Sequence, residues 1–544
     1  MENEKQFDSL TVLIDCSRNA VRTVGTLKAF MRTIAKMGYT GIQLYMEDTY
    51  EISDEPYFGH QRGRYTKEEL REIVSYAKEL GLKCVPAIQT LAHLNGITRW
   101  RRFAANLIDI DDVLLIDEPQ TYELIEKMFK SLRECFECEE INIGMDEAYK
   151  VGLGKYLKLH GYTNRLSLLV RHLKKVVEIA GKYGFTKPMM WSDMFIRLLN
   201  GGDYVNAELK TIPEEILSLM PENITLVAWN YYSHDKNFYE KMLDTHKLFN
   251  KSLYFTAGAI SWLGITPKNK YSIKQNKAAL TACKKTGVKN YMVAIWGDDG
   301  AECSPFAMLP TLAYVASMAK GVSNYKQAFE NWIGIPFDKF LRIDSPNEIC
   351  QPAKMFLLAQ PARYMLYNDC LQGLYDSTVT QGDGENFKSV ALKLHGLTKN
   401  EEYGYLFKTQ ESLAKLMYYK YELTVRTRNA YLAKDNAKLK EIVDKDYKKI
   451  IKLLDEYYEA FRYQWYKENK PQGFEVQDYR IGGLKQRLVN GQRIIKEYLV
   501  GERDKIEELE EEVLSVVCND EMNGKGVDAR TVKEVITANV FSHN

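Results

Sequence analysis

Histidine is scarce in this chain. There are eight in 544 residues, and none stands in an H-E-x-x-H or other ligand spacing, so neither a metal nor a cofactor is read from the sequence. Charge of one sign is missing too. The formal net charge is +1, which gives no general pull toward nucleic acid or an anionic membrane. No run of about 18 apolar residues occurs, so no membrane span is expected. The first residues, MENEKQFDSL, are polar and acidic and hold no apolar leader. Cysteine is sparse and odd in number, nine without framework spacing, which reads as reduced thiols in a cytoplasmic protein. One C-x-x-C, Cys135 and Cys138, falls in a helical stretch with no second pair, a weak signal for zinc or redox chemistry. No G-x-G-x-x-G follows the first apolar run, which argues against a doubly wound dinucleotide fold.

What is present is a repeat of strand and helix. Eight short apolar runs lie in the first 300 residues: TVLIDCSRN (11–19), GIQLYMED (41–48), KCVPAIQTLAH (83–93), INIGMDE (141–147), PMMWSDMF (188–195), ITLVAWNYY (224–232), SLYFTAGAISW (252–262) and YMVAIWGDD (291–299). Their near-continuous apolarity suits strands buried on both faces of a parallel sheet. Amphipathic stretches at 26–38, 66–81, 164–184 and 271–287 separate some of them, each closing at a glycine. Eight alternations predict an α/β fold, a (β/α)8 TIM barrel over residues 1–320. From 321 to 544 no buried strand is read, and long charged amphipathic segments predict an α-helical C-terminal region. Its apolar faces require cover, by the barrel or by a second copy in a homo-oligomer.

In such a barrel the chemistry sits at the C-terminal ends of the strands. Here those ends read Asp15, Ser17 and Arg18; Glu47 and Asp48; Gln89 and His93; Asp146 and Glu147; Trp191 and Asp193; Trp229 to Tyr232; Trp262; then Trp296, Asp298, Asp299 and Glu302. Four of the seven tryptophans fall at these ends. Aromatic walls mixed with carboxylates suit sugars, which have apolar ring faces and hydroxyl edges. The segment INIGMDEAY (141–149) places two adjacent acids at a strand exit. Consecutive strand residues point apart, so Asp146 and Glu147 are expected to address different atoms. A retaining glycosidase places its two carboxyls about 5–5.5 Å apart, yet the seventh run contains no Asp or Glu. The nucleophile then comes from elsewhere or from the substrate, and the carbonyl of a 2-acetamido sugar can serve.

These motifs resemble glycoside hydrolase family 20, the β-N-acetylhexosaminidases. INIGMDEAY looks like the family's Gly-x-Asp-Glu motif, with Gly144-Met145 where the family commonly has two glycines. MMWSDMF, AWNYY and AIWGDDGAE look like its later strands. The resemblance covers roughly residues 10–320, in a divergent bacterial-type branch with a helical C-terminal region. It implies exo-acting, retaining release of terminal β-linked GlcNAc or GalNAc through an oxazolinium-type intermediate. Glu147 would be the general acid and then base, and Asp146 would hold the acetamido N–H. Trp191, Trp229 and Trp296 would box the sugar, with Tyr231 or, failing it, Tyr232 on the acetamido carbonyl. Arg18 and Asp298 would hold hydroxyls, and His93 would orient or tune Glu147. Glu47, Asp48, Asp193 and Glu302 read as supporting residues, and Arg18 could instead pair with Asp15. A non-catalytic carbohydrate-binding barrel, or a barrel hydrolase acting on a different sugar, are the other readings.

Overall fold

All eight apolar runs form strands. The computed structural model describes residues 6–205, 209–349, 360–516, 518–520 and 524–526. The strands are β1 (Ser9–Asp15), β2 (Gly41–Tyr45), β3 (Lys83–Ala87), β4 (Glu140–Asn142), β5 (Lys187–Trp191), β6 (Thr225–Trp229), β7 (Ser252–Gly258) and β8 (Asn290–Ile295). They close into one barrel in chain order, β1 pairing with both β2 and β8, every pair parallel. Most strand residues are buried, the exceptions lying mainly at the strand starts, because side chains on one face fill the barrel and those on the other meet helices.

The helices follow their local signals. Val24–Met37 starts at Thr23, which accepts from Thr26 N, and stops at Gly38 in the left-handed region. Lys67–Glu79 begins with a capping box between Thr66 and Glu69. Arg165–Lys182 and Asn269–Thr286 occupy the other two predicted stretches. Between β3 and β4 the chain is more elaborate than its periodicity suggests. It forms two short helices, an antiparallel ladder of Ile108–Ile110 with Val113–Leu114, and the helix Pro119–Arg133. Cys135 and Cys138 fall in the loop after that helix, not in a helix as expected. Each Sγ lies within hydrogen-bonding reach of main-chain carbonyls, and burial pushes both thiols up to about 11, the state of inert structural cysteines.

The molecule divides into two compact units. One comprises Met1–Ile260, Lys270–Trp296 and Leu309–Ile335; the other comprises Ser261–Asn269, Gly297–Met308 and Pro336–Asn544. The second unit is helical, with long helices Gly404–Lys420, Lys448–Glu468 and Phe474–Leu499. A short antiparallel pair, Cys518–Asp520 with Gly524–Gly526, departs from the purely helical expectation. Its interior holds an aromatic cluster of Tyr457, Phe461, Trp465 and Phe474. It also buries the carboxylate of Glu302 between Arg363 at 2.7 Å and Arg480 at 2.9 Å. No helix among the described residues is long and apolar enough to cross a membrane.

Candidate active site

The acidic pair leaves the strand before it acts. β4 ends at Asn142, and the next residues turn through the left-handed region: Gly144 at φ 76°, Met145 at φ 71° and Glu147 at φ 53°. The expectation that strand alternation separates Asp146 from Glu147 is therefore corrected. Both carboxyls come within reach of one imidazole, with His93 Nε2 3.2 Å from Asp146 Oδ2 and 3.6 Å from Glu147 Oε2. His93 has its own left-handed backbone, φ 57°. Non-glycine residues in this region are uncommon and collect where geometry serves a site.

Gly144 has a steric reason to be glycine. A Cβ there would lie 2.1 Å from Gln89 Oε1 and 2.6 Å from the Ile88 carbonyl. Gln89 is fully buried and organises the turn. Its Oε1 accepts from Met145 N at 3.2 Å, and its Nε2 donates to Asp146 Oδ1 at 2.8 Å and to Tyr45 Oη at 2.9 Å. From Tyr45 the network reaches Glu47, whose Oε1 accepts Tyr45 Oη–H at 3.2 Å and Arg18 Nε–H at 2.6 Å. Asp15 meanwhile accepts from the main-chain N–H groups of Ser17 and Arg18. The Arg18 guanidinium pairs with the Glu47 carboxylate at 2.6 Å, across β1 and β2.

Electrostatics follow from this packing. Burial disfavours a charged His93, but the Asp146 carboxylate beside it prevails and raises its pKa to about 9. Burial pushes Asp146 up as well; His93, the Gln89 hydrogen bond and Arg18 outweigh it and hold the group below its ordinary value. His93 and Asp146 are thus a cation and an anion near neutral pH. Asp193 is also buried. Desolvation first, then the Asp146 charge, raises it to about 7 against the pull of Arg197. Glu47 is raised by burial in spite of Arg18.

Aromatic residues form a wall beside these acids. Trp191 and Trp296 lie 5.9 Å apart, Trp296 meets Tyr45 edge-on at 4.7 Å, and Tyr231 stacks on Trp229 at 5.3 Å. Tyr231 Oη accepts the Trp296 indole N–H at 3.0 Å, and burial holds its phenol well above the ordinary value. The Arg18 guanidinium lies 5.6 Å from the Trp296 ring centre. Tyr232 is 44% exposed. The barrel unit therefore brings together Arg18, His93, Asp146, Glu147, Trp191, Trp229, Tyr231 and Trp296. Asp298 opens a short helical turn, Asp298–Gly300, in the second unit, and Trp262 is buried in that unit's segment Ser261–Asn269. Sequence reasoning gave no role to Tyr45, Gln89, Tyr149 or Arg197. Gln89 had a signal, as an amide at the exit of a buried strand; Tyr149 had only its place two residues after Glu147.

A family model described as "Glycosyl hydrolase family 20, catalytic domain" matches residues 33–301, and one described as "Glycoside Hydrolase 20C C-terminal domain" matches residues 338–528. The chain belongs to glycoside hydrolase family 20. Among curated relatives, hexosaminidase D of Bos taurus is 25% identical over 247 residues, 43% of this chain and 66% of the relative. A probable beta-hexosaminidase of Arthroderma benhamiae is 22% identical over 272 residues, 44% of this chain and 39% of the relative. The matches thus span less than two thirds of those relatives' length. Among solved structures, the Flavobacterium johnsoniae chitobiase has a TM-score of 0.47 at 14% identity, covering 84% of this chain and 78% of that one. Met145 lies between Gly144 and Asp146 in the left-handed turn after β4, at φ 71°. It adopts the backbone angle that a second glycine would adopt without strain, and its side chain is fully buried.

Proposed function

We propose that the chain is an exo-acting, retaining β-N-acetylhexosaminidase that uses the substrate's acetamido group as nucleophile. The observation that carries this reading is the pair Asp146 and Glu147 flanking one cationic imidazole beside an aromatic wall at the strand ends. A terminal sugar would lay its apolar face on Trp191, Trp229 and Trp296. The indole N–H groups of Trp191 and Trp229 are buried with no hydrogen-bond partner among the described residues, donors that the protein itself leaves unused. Arg18 offers planar donors for vicinal hydroxyls.

The chemistry follows from charge. Asp146, kept ionised by His93, accepts the acetamido N–H and so raises the electron density of the carbonyl oxygen. Tyr231 donates to that oxygen and aims it. The oxygen attacks the anomeric carbon as the glycosidic bond breaks, and Glu147 in its acid form gives its proton to the leaving oxygen. Asp146 balances the positive charge that spreads over the five-membered ring. Water then opens the ring from the vacated face and loses a proton to Glu147, so two inversions give retention.

A thiazoline that mimics the cyclised intermediate tests the reading. Titration should show it binding about a hundredfold or more tighter than free N-acetylglucosamine, as species near the transition state do. Equal affinity would remove the case for substrate assistance.

A further inference from the structure

Glu147 is held by a closed circuit of three other side chains. Its backbone N–H donates to Asp193 Oδ2 at 3.1 Å. The same oxygen accepts Arg197 Nε–H at 3.2 Å. The Arg197 guanidinium lies over the Tyr149 ring, 4.8 Å from its centre. Tyr149 Oη–H then returns to Glu147 Oε1 at 2.7 Å. The Tyr149 main chain is itself fixed, its N–H bonded to the Glu147 carbonyl at 2.6 Å and its own carbonyl accepting from Arg165. Asp193 is fully buried, whereas Tyr149 is 48% exposed. One end of the circuit is thus anchored in the interior and the other opens to solvent.

The two Glu147 oxygens have unlike neighbours. Oε2 faces His93, which carries a positive charge near neutral pH and repels a proton there. Oε1 faces Tyr149, whose hydroxyl can donate to a carboxylate or accept from a carboxylic acid. The transferable proton therefore belongs on Oε1. A general acid stands within hydrogen-bond reach of the leaving oxygen, so the group bonded to Oε1 adjoins the leaving sugar.

We propose that Tyr149 is the leaving-group residue of this site. Its hydroxyl positions the proton-bearing oxygen of Glu147, and the exposed face of its ring receives the aglycone sugar, with Arg197 and Asp193 as positioning residues behind it. The inference rests on the hexosaminidase reading above. Tyr149 closes the segment INIGMDEAY, and the turn after Glu147 brings its hydroxyl back to that carboxylate.

Two substrates separate the roles, a β-linked N-acetylglucosamine disaccharide and N-acetylglucosaminyl β-fluoride. The fluoride has no second ring and a leaving group that needs little protonation. Tyr149→Ala should raise KM for the disaccharide about tenfold, the scale of a lost stacking contact, and leave KM for the fluoride within about twofold. Tyr149→Phe keeps the ring, so it should restore the disaccharide KM while kcat on that substrate stays about tenfold or more below wild type. Thiazoline affinity, which reads only the terminal sugar's site, should be unchanged in both variants and certifies their folding. If Tyr149→Ala does not fold, the kcat–KM split in Tyr149→Phe decides. Equal losses on both substrates, or none, overturn the assignment while leaving the hexosaminidase reading intact. A wild-type chain that turns over neither substrate refutes that reading and this inference with it.

Discussion

Asp146 and Glu147 share an imidazole, but their surroundings give them different work. Asp146 is buried, paired with His93 and bonded to Gln89, so it is a fixed anion. Glu147 is partly open and bonded to an exposed tyrosine, which is why the proposed mechanism makes it the group that exchanges a proton with the leaving sugar. Glu147→Gln should lower kcat on a disaccharide by on the order of 10²–10⁴, with a smaller loss on nitrophenyl glycosides, which leave without help. Asp146→Asn should slow both substrate types, since it disturbs the internal nucleophile. The same leaving-group dependence in both variants would contradict these roles. His93 adds a pH dependence of stability. Its folded pKa of about 9 lies above the ordinary 6.5, so its contribution is fully present below pH 6.5 and is lost as pH rises through 9. It amounts to at most about 3 kcal/mol. The gap in thermal midpoint between wild type and His93→Gln should be wide at pH 6 and nearly closed at pH 10. A gap of constant width would show that the ring acts by packing alone.

At the scale of elements, the left-handed run after β4 decides the site. Gly144 sets Gln89, and Gln89 sets Asp146, Met145 and Tyr45. Gly144→Ala forces an L-residue into φ 76° and drives its Cβ into Gln89. The conformation alone costs roughly 1–2 kcal/mol, and the displaced amide should lower kcat/KM as well. Denaturant titration with kinetics on the same sample checks both, and wild-type values in each would mean that the turn relaxes freely. This turn also marks where the sequence stopped being legible. The eight strands were readable because continuous apolarity is imposed by burial on both faces, and their polar tails were readable as strand ends. Backbone angles after Asn142 leave no periodic trace, so alternation was wrongly extended to Asp146 and Glu147. Partner choice was equally hidden. Arg18 pairs with Glu47 from the neighbouring strand, because strands adjacent in the barrel bring their tails together.

For the whole molecule, the two units are threaded through each other in sequence. Segments Ser261–Asn269 and Gly297–Met308 lie among the barrel strands in the chain but belong to the helical unit. There Thr266 bonds Gln410 at 2.6 Å, and Glu302 is held by Arg363 and Arg480. A chain ending at residue 320 would leave Ser261–Asn269 and Gly297–Met308 without the rest of the unit they fold into, and Glu302 without either arginine, so apolar surface that the helices cover would face water. Such a truncation should give insoluble or inactive protein, seen as loss of the soluble fraction on expression. A soluble, fully active fragment would show that the helical unit is separable. The central claim, that the substrate's own acetamido oxygen is the nucleophile, is tested most directly by its electron density. kcat/KM should be measured on nitrophenyl substrates whose acetamido methyl carries zero, one, two or three fluorine atoms. Each fluorine withdraws electrons from the carbonyl oxygen at little change in shape. The account predicts a steep, continuous fall across the series, and a flat series would contradict it.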